Sequence, residues 1–313
     1  MERLAVAFND DLHRKPHLNE IERLGEAEVL DTATEIAELL GADLVPVRDD
    51  LPTALRALQR YDVVINLCEG VLGNPRFEMN FALALEMAGI AFTGCDPLAT
   101  ALCIDKLRAK SLLAAAGVPV PRTNVLPAIV KPSREDAGIG IDATSIVTTS
   151  AERDSKVREI EATYRQPALV EEFIDGGEFN QAMLLGKPLP PGEVVFADDL
   201  APHERVVGWK AKWAAGSRED LATVNRTPAD VDDATRERIA AICSAAEKTL
   251  GIGGYCRFDL RQSRGGELFL VDVNPNPDIG RGTGYRKALD AAGIAFSDFL
   301  GTLIMAARLR RPS

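Results

Sequence analysis

YCRFDLRQSRGGELFLVDVNPNPDIG, residues 255–280, contains two strand-like runs that form one apparent hairpin. Side chains of a strand alternate between its two faces, and this alternation divides the first run. One face is polar and carries Tyr255, Arg257, Asp259 and Arg261, whereas the other carries Cys256, Phe258 and Leu260. An acid therefore sits in the middle of the polar face.

The second run places acidic and amide side chains where a core strand would have aliphatic ones. Phe269, Val271 and Val273 are expected to share an apolar face, with Asp272 and Asn274 opposite. Without a bulge, Asp259 would lie across from or diagonal to Asp272, an unfavourable contact that a hard cation would reverse. The pattern predicts an Mg²⁺ site carrying nucleotide phosphates. The alternative, a solvated hairpin face, conflicts with the apolar flanking residues.

Composition indicates a soluble globular protein of two or three subdomains, with 313 residues of which 46% are hydrophobic. No apolar run is long enough to span a bilayer, and the N-terminal MERLAVAFNDDLHRK becomes polar too early for a signal peptide. We therefore predict a cytoplasmic protein without membrane partners. A net charge of −11 argues against nucleic acid as a partner. Five scattered cysteines predict reduced, buried thiols.

The first hundred residues alternate strand and helix patterns, which predicts a parallel sheet flanked by helices. LAVAF, DLVPV and YDVVINL are the strands, and Val29, Ala33, Ile36 and Leu40 form the stripe of the first helix. The polar connection NDDLHRKPHLNE holds His13 and His17. Solvated loop histidines are more common than ligands, so the solvated alternative is preferred for both.

Two helices with a break near Ile104 are predicted in the next segment, with Lys106 and Lys110 one turn apart on a single face. Proline-rich VPVPRTNVLP then indicates a domain boundary. After it, AIVKP, SREDAGIGID and TSIVTT suggest a strand, a glycine loop and a second strand.

That loop formally matches a dinucleotide fingerprint through Gly138, Gly140 and Ala143, but the fingerprint requires a following helix and TSIVTT is β-branched. Such a loop could instead fold its backbone N–H groups over a phosphate, with Lys131 at its base. An ordinary long hairpin is the alternative.

The order of motifs is more specific than any one of them: DKLRAK, AIVKP with its glycine loop, LVEEFIDGGEF, WKAKW, then RFDL with LVDVNPNP. This order resembles the ATP-grasp superfamily, and most closely its D-alanine–D-alanine ligase-like branch. The resemblance implies an α/β (α+β) ATP-grasp fold and a homodimer. Three domains are expected: a Rossmann-like parallel-sheet domain (1–103), a central lid (104–176) and an antiparallel-sheet catalytic domain (177–313).

The resemblance also implies roles for individual residues in binding ATP. Lys106 would contact phosphate, and Lys131 would reach both phosphate and the adenine side. Glu171 would lie near the adenine amino group and Glu178 would hold the ribose hydroxyls. The remaining nucleotide contacts are expected from the glycine loop, from the segment after LVEE and from the mobile WKAKW loop: Gly138, Gly140, Glu172, Phe173, Ile174 and Lys212.

The chemistry implied is that of a carboxylate–amine ligase which forms an amide or peptide bond through an acyl phosphate and releases ADP and phosphate. Lys212 would act on the γ-phosphate and Arg257 would stabilise the oxyanion. Two Mg²⁺ ions, or Mn²⁺, are expected on Asp259, Asp272 and Asn274. The partners would be ATP, a carboxylate and an amine.

Two alternatives stay open: a genuine D-alanine–D-alanine ligase, and a non-catalytic nucleotide-binding regulator. Four departures from the D-alanine ligase pattern bear on the first. Ala137 and Gly138 replace loop serines, Trp213 replaces a tyrosine, Asp272 replaces a glutamate and Asp278 replaces a glycine. We therefore expect a different amino acid or a cationic amine as substrate.

Overall fold

The structure is a computed structural model that describes residues 2–14, 20–135, 138–208, 214 and 216–310, with the backbone alone for 20–27. Its strands form three sheets, which follow one another along the chain. Short 3₁₀ turns lie between the main elements at Leu12–Arg14, Pro75–Phe77, Ala143–Ser145 and Pro202–Glu204.

The first sheet is parallel, as the alternating pattern predicts, and has the strand order β2-β1-β3. Pro46 lies in edge strand β2, a position where a missing N–H is tolerated. Ala33 and Ile36 of the first helix are fully buried, which confirms the predicted stripe. The elements of this region are β1 (Leu4–Asn9), α1 (Glu20–Leu40), β2 (Asp43–Val47), α2 (Leu51–Leu58), β3 (Val63–Asn66), α3 (Glu78–Met87) and α4 (Pro97–Ile104).

The second sheet is a small antiparallel one, with the order β5-β4-β6 and with α6 packed on it. The predicted helix break lies at Asp105, whose carboxylate accepts a hydrogen bond from the Arg108 N–H and so caps the next helix. This region comprises α5 (Lys106–Ala115), β4 (Ala128–Pro132), β5 (Ile146–Val147), α6 (Ser150–Tyr164) and β6 (Ala168–Glu172).

The third sheet is antiparallel with the order β10-β9-β7-β11-β12, and β8 pairs with β7. Its strands are β7 (Glu178–Leu184), β8 (Lys187–Pro188), β9 (Gly192–Phe196), β10 (Thr223–Arg226), β11 (Tyr255–Gln262) and β12 (Leu268–Asn274). Its helices are α7 (Arg218–Leu221), α8 (Asp233–Leu250), α9 (Gly284–Ala291) and α10 (Phe296–Leu309).

Two hydrophobic clusters join regions that are distant in sequence. In one, Leu113 of α5 packs with Leu250 of α8 and Phe258 of β11. In the other, Ile65 of β3 packs with Tyr285 and Phe299 of the terminal helices. The first helix of the predicted lid therefore shares a core with the third sheet, and the terminal helices share one with the first sheet. The domain boundaries stay predictions.

A bulge makes one expectation about the hairpin wrong. Asp259 pairs directly with Asp272, but the register shifts immediately afterwards and Leu260 pairs with Leu270, leaving Val271 as an extra residue. The buried side chains of β12 are consequently Leu268, Leu270 and Val273. The predicted apolar set is therefore wrong for Phe269 and Val271 and is confirmed for Val273.

The strand predicted for TSIVTT is also shorter than expected. Only Ile146–Val147 pairs with β4, because the preceding Ala143–Ser145 forms a 3₁₀ turn. Asp142 caps that turn by accepting from the Thr144 N–H at 2.8 Å. Residues 90–94, IAFTG, contribute a single parallel bridge to the first sheet, between Val64 and Phe92.

All five cysteines are free and buried, as the scattered spacing predicts. Within the described ranges, no single helix has both the length and the apolar character needed to cross a bilayer. In that part of the chain, one pair of helices, α9 and α10, satisfies the two criteria when taken together, and the two are bent by 103° relative to each other.

Candidate functional site

A cleft with an empty volume of about 900 Å³ lies between the second and third sheets. Nearly all the predicted site residues line it, although they come from separate parts of the chain. The helix α5 and the second sheet with its loops contribute Lys106, Lys131, Gly138, Glu171, Glu172, Phe173 and Ile174. The third sheet contributes Glu178, Arg257, Asp259, Asp272 and Asn274.

Two predicted residues are not among the residues that line this cleft. Gly140 packs elsewhere: it has a φ of +74°, and a Cβ there would lie 2.6 Å from Cγ of Pro132 and 3.1 Å from the Tyr164 ring. Its glycine is thus required by close packing on the end of β4. Lys212 lies outside the described residues, as do both tryptophans of the WKAKW segment.

The two acids of the hairpin are each paired with a cation. Asp259 accepts two hydrogen bonds from Arg257, at 2.8 and 3.0 Å. Asp272 accepts two from the Lys106 ammonium, at 2.8 and 3.1 Å. Burial raises the pKa of Asp272, but the charges of Lys106 and Lys131 act against it more strongly and hold that pKa below its usual range. The carboxylate is therefore ionised at neutral pH.

The oxygen donors here fit a magnesium ion that is shared with a ligand. Asp259 and Asp272 face each other across the ladder, and Asn274 pairs opposite Arg257 one step further along. Among the described residues, no group of three acidic, histidine or cysteine side chains forms a complete metal cage. Mg²⁺ is commonly held by one or two carboxylates plus waters and phosphate oxygens, so two facing acids suffice.

A third acid, Glu171, is enclosed between two buried lysines. Its carboxylate lies 2.7 Å from the Lys110 ammonium and 2.7 Å from the Lys131 ammonium. The same lysines donate to the bulge of β12: Lys110 to the Leu270 carbonyl at 3.1 Å and Lys131 to the Val271 carbonyl at 3.3 Å. This cluster ties strands β4 and β6 to the strand that carries Asp272.

Burial and charge act against each other on the pKa values of this cluster. Burial raises the pKa of Glu171, but the charges of Lys110 and Lys131 outweigh burial and the net shift of that pKa is downward. For Lys110, burial outweighs the opposing charge of Glu171 and lowers the pKa from 10.5 to about 8. Sequence reasoning missed Lys110, although its position one turn after Lys106 already placed it on the same helix face.

The part of the cleft around Phe173 forms a largely apolar end. Its lining includes Ile141, Phe173, Ile174, Val206 and Val207. Backbone hydrogen bonds hold the segment after β6 in place, from the Glu172 N–H to the Arg122 carbonyl at 2.7 Å and from the Phe173 N–H to the Pro127 carbonyl at 2.9 Å. Arg261, which sequence reasoning left without a role, also lines this cleft.

Asp278 lies beyond the hairpin and is partly buried. Its carboxylate accepts a hydrogen bond from the Gly280 N–H at 2.7 Å. Burial raises its pKa, opposed by that hydrogen bond and by the charge of Arg257. Burial and the charge of Asp278 together raise the pKa of Glu28 in α1. Asp278 and Glu28 therefore place negative charge between the end of the hairpin and α1.

Comparisons with known proteins agree with this geometry. Residues 105–305 match the protein family described as D-ala D-ala ligase C-terminus. An uncharacterised protein of Sinorhizobium fredii is 31% identical over 79% of this chain and 75% of its own length. The D-alanine–D-alanine ligase of Stutzerimonas stutzeri is 32% identical over 70% of each chain.

The fold is shared with a solved enzyme. The D-alanine–D-alanine ligase of Bacillus anthracis covers 99% of both chains at 20% identity, with TM-scores of 0.78 and, for its complex with ATP, 0.76. The chain therefore belongs to the D-alanine–D-alanine ligase family, has the ATP-grasp fold and is an ATP-dependent ligase that forms C–N bonds.

Proposed function

We propose that this protein converts a carboxylate into an acyl phosphate with ATP and then joins it to an amine. The observation that supports this is the meeting of phosphate-binding cations with paired acids in one cleft. Lys106 and Lys131 come from α5 and β4, whereas Asp259 and Asp272 come from the hairpin. Only the folded chain brings these charges together.

ATP would occupy the cleft with its base at the apolar end and its phosphates at the cationic end. The Bacillus anthracis enzyme, which has the same fold, was solved in complex with ATP, and this supports ATP as the nucleotide. Lys106 and Lys131 would neutralise phosphate, Gly138 would cover it and Lys212 would close over it. Glu171 would lie on the adenine side, the segment Glu172–Ile174 would meet the base edge, and Glu178 would hold the ribose.

Asp259, Asp272 and Asn274 would hold Mg²⁺, with two ions proposed. Bound there, the metal would supply positive charge that offsets the charge building on the transferring phosphoryl group. The Lys106 ammonium holds Asp272 in the ionised form, which is the form that binds a divalent cation.

The bond changes follow from the poor reactivity of a carboxylate at neutral pH. A carboxylate oxygen attacks the γ-phosphorus, the bond to ADP breaks, and an acyl phosphate forms. The amine nitrogen then attacks the acyl carbon, loses a proton and expels phosphate. Negative charge develops on the former carbonyl oxygen, where Arg257 would stabilise it. A preorganised donor of this kind contributes about 3 kcal/mol. The two hydrogen bonds to Asp259 hold the Arg257 guanidinium in place.

Two substrate classes are candidates. The names of the relatives favour D-alanine for both positions. The partly buried Asp278, together with Glu28, favours a cationic amine or a different amino acid instead. A homodimer and a cytoplasmic location, without nucleic acid or membrane partners, are proposed on the strength of the family likeness and the composition.

The experiment is product identification. Purified protein with ATP and Mg²⁺ is given pooled amino acids and small carboxylates, and phosphate release is followed while products are identified by mass spectrometry. We expect ADP, phosphate and one amide. Turnover with D-alanine alone would select the D-alanine–D-alanine reaction. ATP binding without turnover across the pool would contradict the proposal and support a regulator.

A pair of variants links the product to the cleft. Arg257→Lys removes the guanidinium from the proposed oxyanion position, and we expect turnover to fall by about 100-fold or more. Arg264→Lys is the matched control, because its side chain is 72% exposed at the far end of the same hairpin. Equal turnover in both variants would exclude the proposed role of Arg257.

A further inference from the structure

Arg261 is a buried cation in the cleft that the chemistry above does not use. It lies on β11 and is 6% exposed. It stands two residues after Asp259 on the polar face of the strand, and it pairs directly across from Glu178 of β7. Two residues along a strand span about 7 Å, so Arg261 lies one step from the acids of the hairpin.

Its hydrogen bonds hold the guanidinium in one place. One terminal nitrogen, Nη1, donates to the Glu178 carboxylate at 3.2 Å and to the Arg205 carbonyl at 2.9 Å. The other, Nη2, donates to the Gly176 carbonyl at 3.4 Å. The guanidinium also lies 5.1 Å from the centroid of the Phe173 ring. Arg261 therefore connects the carboxylate of Glu178 to the apolar end of the cleft.

The Nε of Arg261 has no hydrogen-bond partner among the described residues and is closed to solvent, so a ligand hydroxyl cannot reach it. Arg261 acts on a ligand instead through the carboxylate that its Nη1 holds. That carboxylate belongs to Glu178, whose side chain is 16% exposed and lines the cleft.

The carboxylate of Glu178 offers what a sugar hydroxyl requires, because a hydroxyl donates one hydrogen bond and a carboxylate accepts it. In a nucleotide the sugar lies between phosphate and base. Arg261 likewise stands two residues after Asp259 on the same strand, with its guanidinium 5.1 Å from the centroid of the Phe173 ring.

We propose that Arg261 is a specificity-determining residue for the sugar of the nucleotide, which positions Glu178 and, with it, selects ATP over 2′-deoxy-ATP. This inference rests on the proposed binding of ATP in the cleft. The hydrogen bond from Nη1 holds the carboxylate of Glu178 beside the guanidinium. Loss of Arg261 then removes the preference for the 2′-hydroxyl, whereas contacts to phosphate remain.

The test measures binding, so it needs no knowledge of the other substrates. Dissociation constants of Mg²⁺-ATP and Mg²⁺-2′-deoxy-ATP are determined by calorimetry for the unaltered protein and for Arg261→Met, which keeps an apolar side chain against Phe173. We expect a preference for ATP of about tenfold or more in the unaltered protein, since hydrogen bonds to charged groups contribute about 1.5–3 kcal/mol. In Arg261→Met the preference falls below about twofold.

Two further variants make the result specific. Arg264→Met removes an exposed arginine of the same hairpin, and we expect it to keep the full preference for ATP. Arg261→Lys keeps the charge but not the fork, and we expect it to fold as the unaltered protein does and to lose most of the preference. If Arg261→Met does not fold, Arg261→Lys provides the test of the preference for ATP.

The outcomes separate the two proposals. If the unaltered protein binds no ATP, the proposed function fails. If it binds ATP and both Arg261 variants weaken the two nucleotides by the same factor, Arg261 acts only on structure and the present inference fails alone. A preserved preference for ATP in Arg261→Lys and Arg261→Met would overturn it in the same way.

Discussion

The acid between the two lysines and the acids of the hairpin lie in one cleft but differ in their access to solvent. The Glu171 side chain is 2% exposed, whereas those of Asp259 and Asp272 are 22% and 30% exposed. Lys110 and Lys131, the partners of Glu171, are themselves buried. The partner of Asp259, Arg257, is 21% exposed and stands on the same strand.

This difference separates charges that hold the structure from charges that can exchange partners. Removing one member of an enclosed ion pair leaves the other uncompensated in a medium that solvates it poorly. A partly exposed carboxylate is solvated in part, so it can release its side-chain cation and accept a metal or a substrate group at small cost. We therefore expect Glu171 to act on stability and Asp259 to act on turnover.

The largest expected effect is that of Glu171→Gln on stability. Neutralising this side chain leaves Lys110 and Lys131 without their shared counter-charge, and we expect the free energy of unfolding to fall by about 3–5 kcal/mol. Urea denaturation followed by circular dichroism measures it. Glu172→Gln is the matched control, because its partner Arg122 is 69% exposed, and should cost less than about 1 kcal/mol. Equal losses of unfolding free energy in the two variants would contradict the distinction between an enclosed acid and a partly exposed one.

Asp259→Asn should lower turnover strongly and stability only slightly, which is the reverse of what we expect for Glu171→Gln. The change removes a proposed metal ligand and the acceptor that orients Arg257, so we expect turnover to fall by about 10²–10³-fold. The unfolding free energy should change by only about 1 kcal/mol, because both side chains are partly exposed. Steady-state phosphate release and urea denaturation on the same preparation measure the two quantities. A large loss of unfolding free energy with unchanged turnover would show that Asp259, like Glu171, acts on stability.

The enclosed acid should also give a pH dependence of known sign. The pKa of Glu171 is below its ordinary 4.5 in the folded protein, so the unfolded chain binds this proton more readily. The stability that the ionised group contributes is fully present above pH 4.5 and is lost as pH falls through the folded pKa. The difference in unfolding free energy between the unaltered protein and Glu171→Gln should therefore narrow below pH 4.5. A difference that widens on acidification would contradict the assignment.

The smallest effect is expected at the surface. His13 lies 3.2 Å from Asp49, and the two side chains are 59% and 49% exposed. We expect His13→Asn to change the unfolding free energy by less than about 0.5 kcal/mol. Turnover should remain within about twofold. A tenfold loss of turnover would instead give the loop after β1 a part in the chemistry.

Most residues that line the cleft could be predicted from the sequence, because strand periodicity and the order of motifs are the same in the sequence and in the structure. Asp259 and Asp272 face each other as the alternation requires, and the lysines of α5 and β4 reach the same cleft. Both conclusions depend on local patterns. The position of the bulge does not, because the pairing of β11 with two neighbouring strands determines where one extra residue is placed.

Two cleft residues that sequence reasoning missed, Lys110 and Arg261, are buried although lysine and arginine are usually exposed. Their spacing along the chain is that of an ordinary helix and an ordinary strand. Their burial depends on partners that are distant in the chain, Glu171 for Lys110 and Glu178 for Arg261. A local pattern carries no information about such partners. Gly140 shows the opposite case, since its type suggested a ligand contact and its neighbours explain it by packing.

The bulge at Val271 means that the site depends on a count of residues as well as on their identity. Upstream of it, Leu268 and Leu270 point into the core, and downstream Asp272 faces the cleft. If Val271 were deleted, Asp272 would follow Leu270 directly, and plain alternation would keep Asp272 and Asn274 on the cleft face. The deletion would instead remove the bulge, and with it the Val271 carbonyl that accepts a hydrogen bond from Lys131. The extra residue therefore supplies a backbone contact to that lysine, which a comparison of side chains alone would overlook.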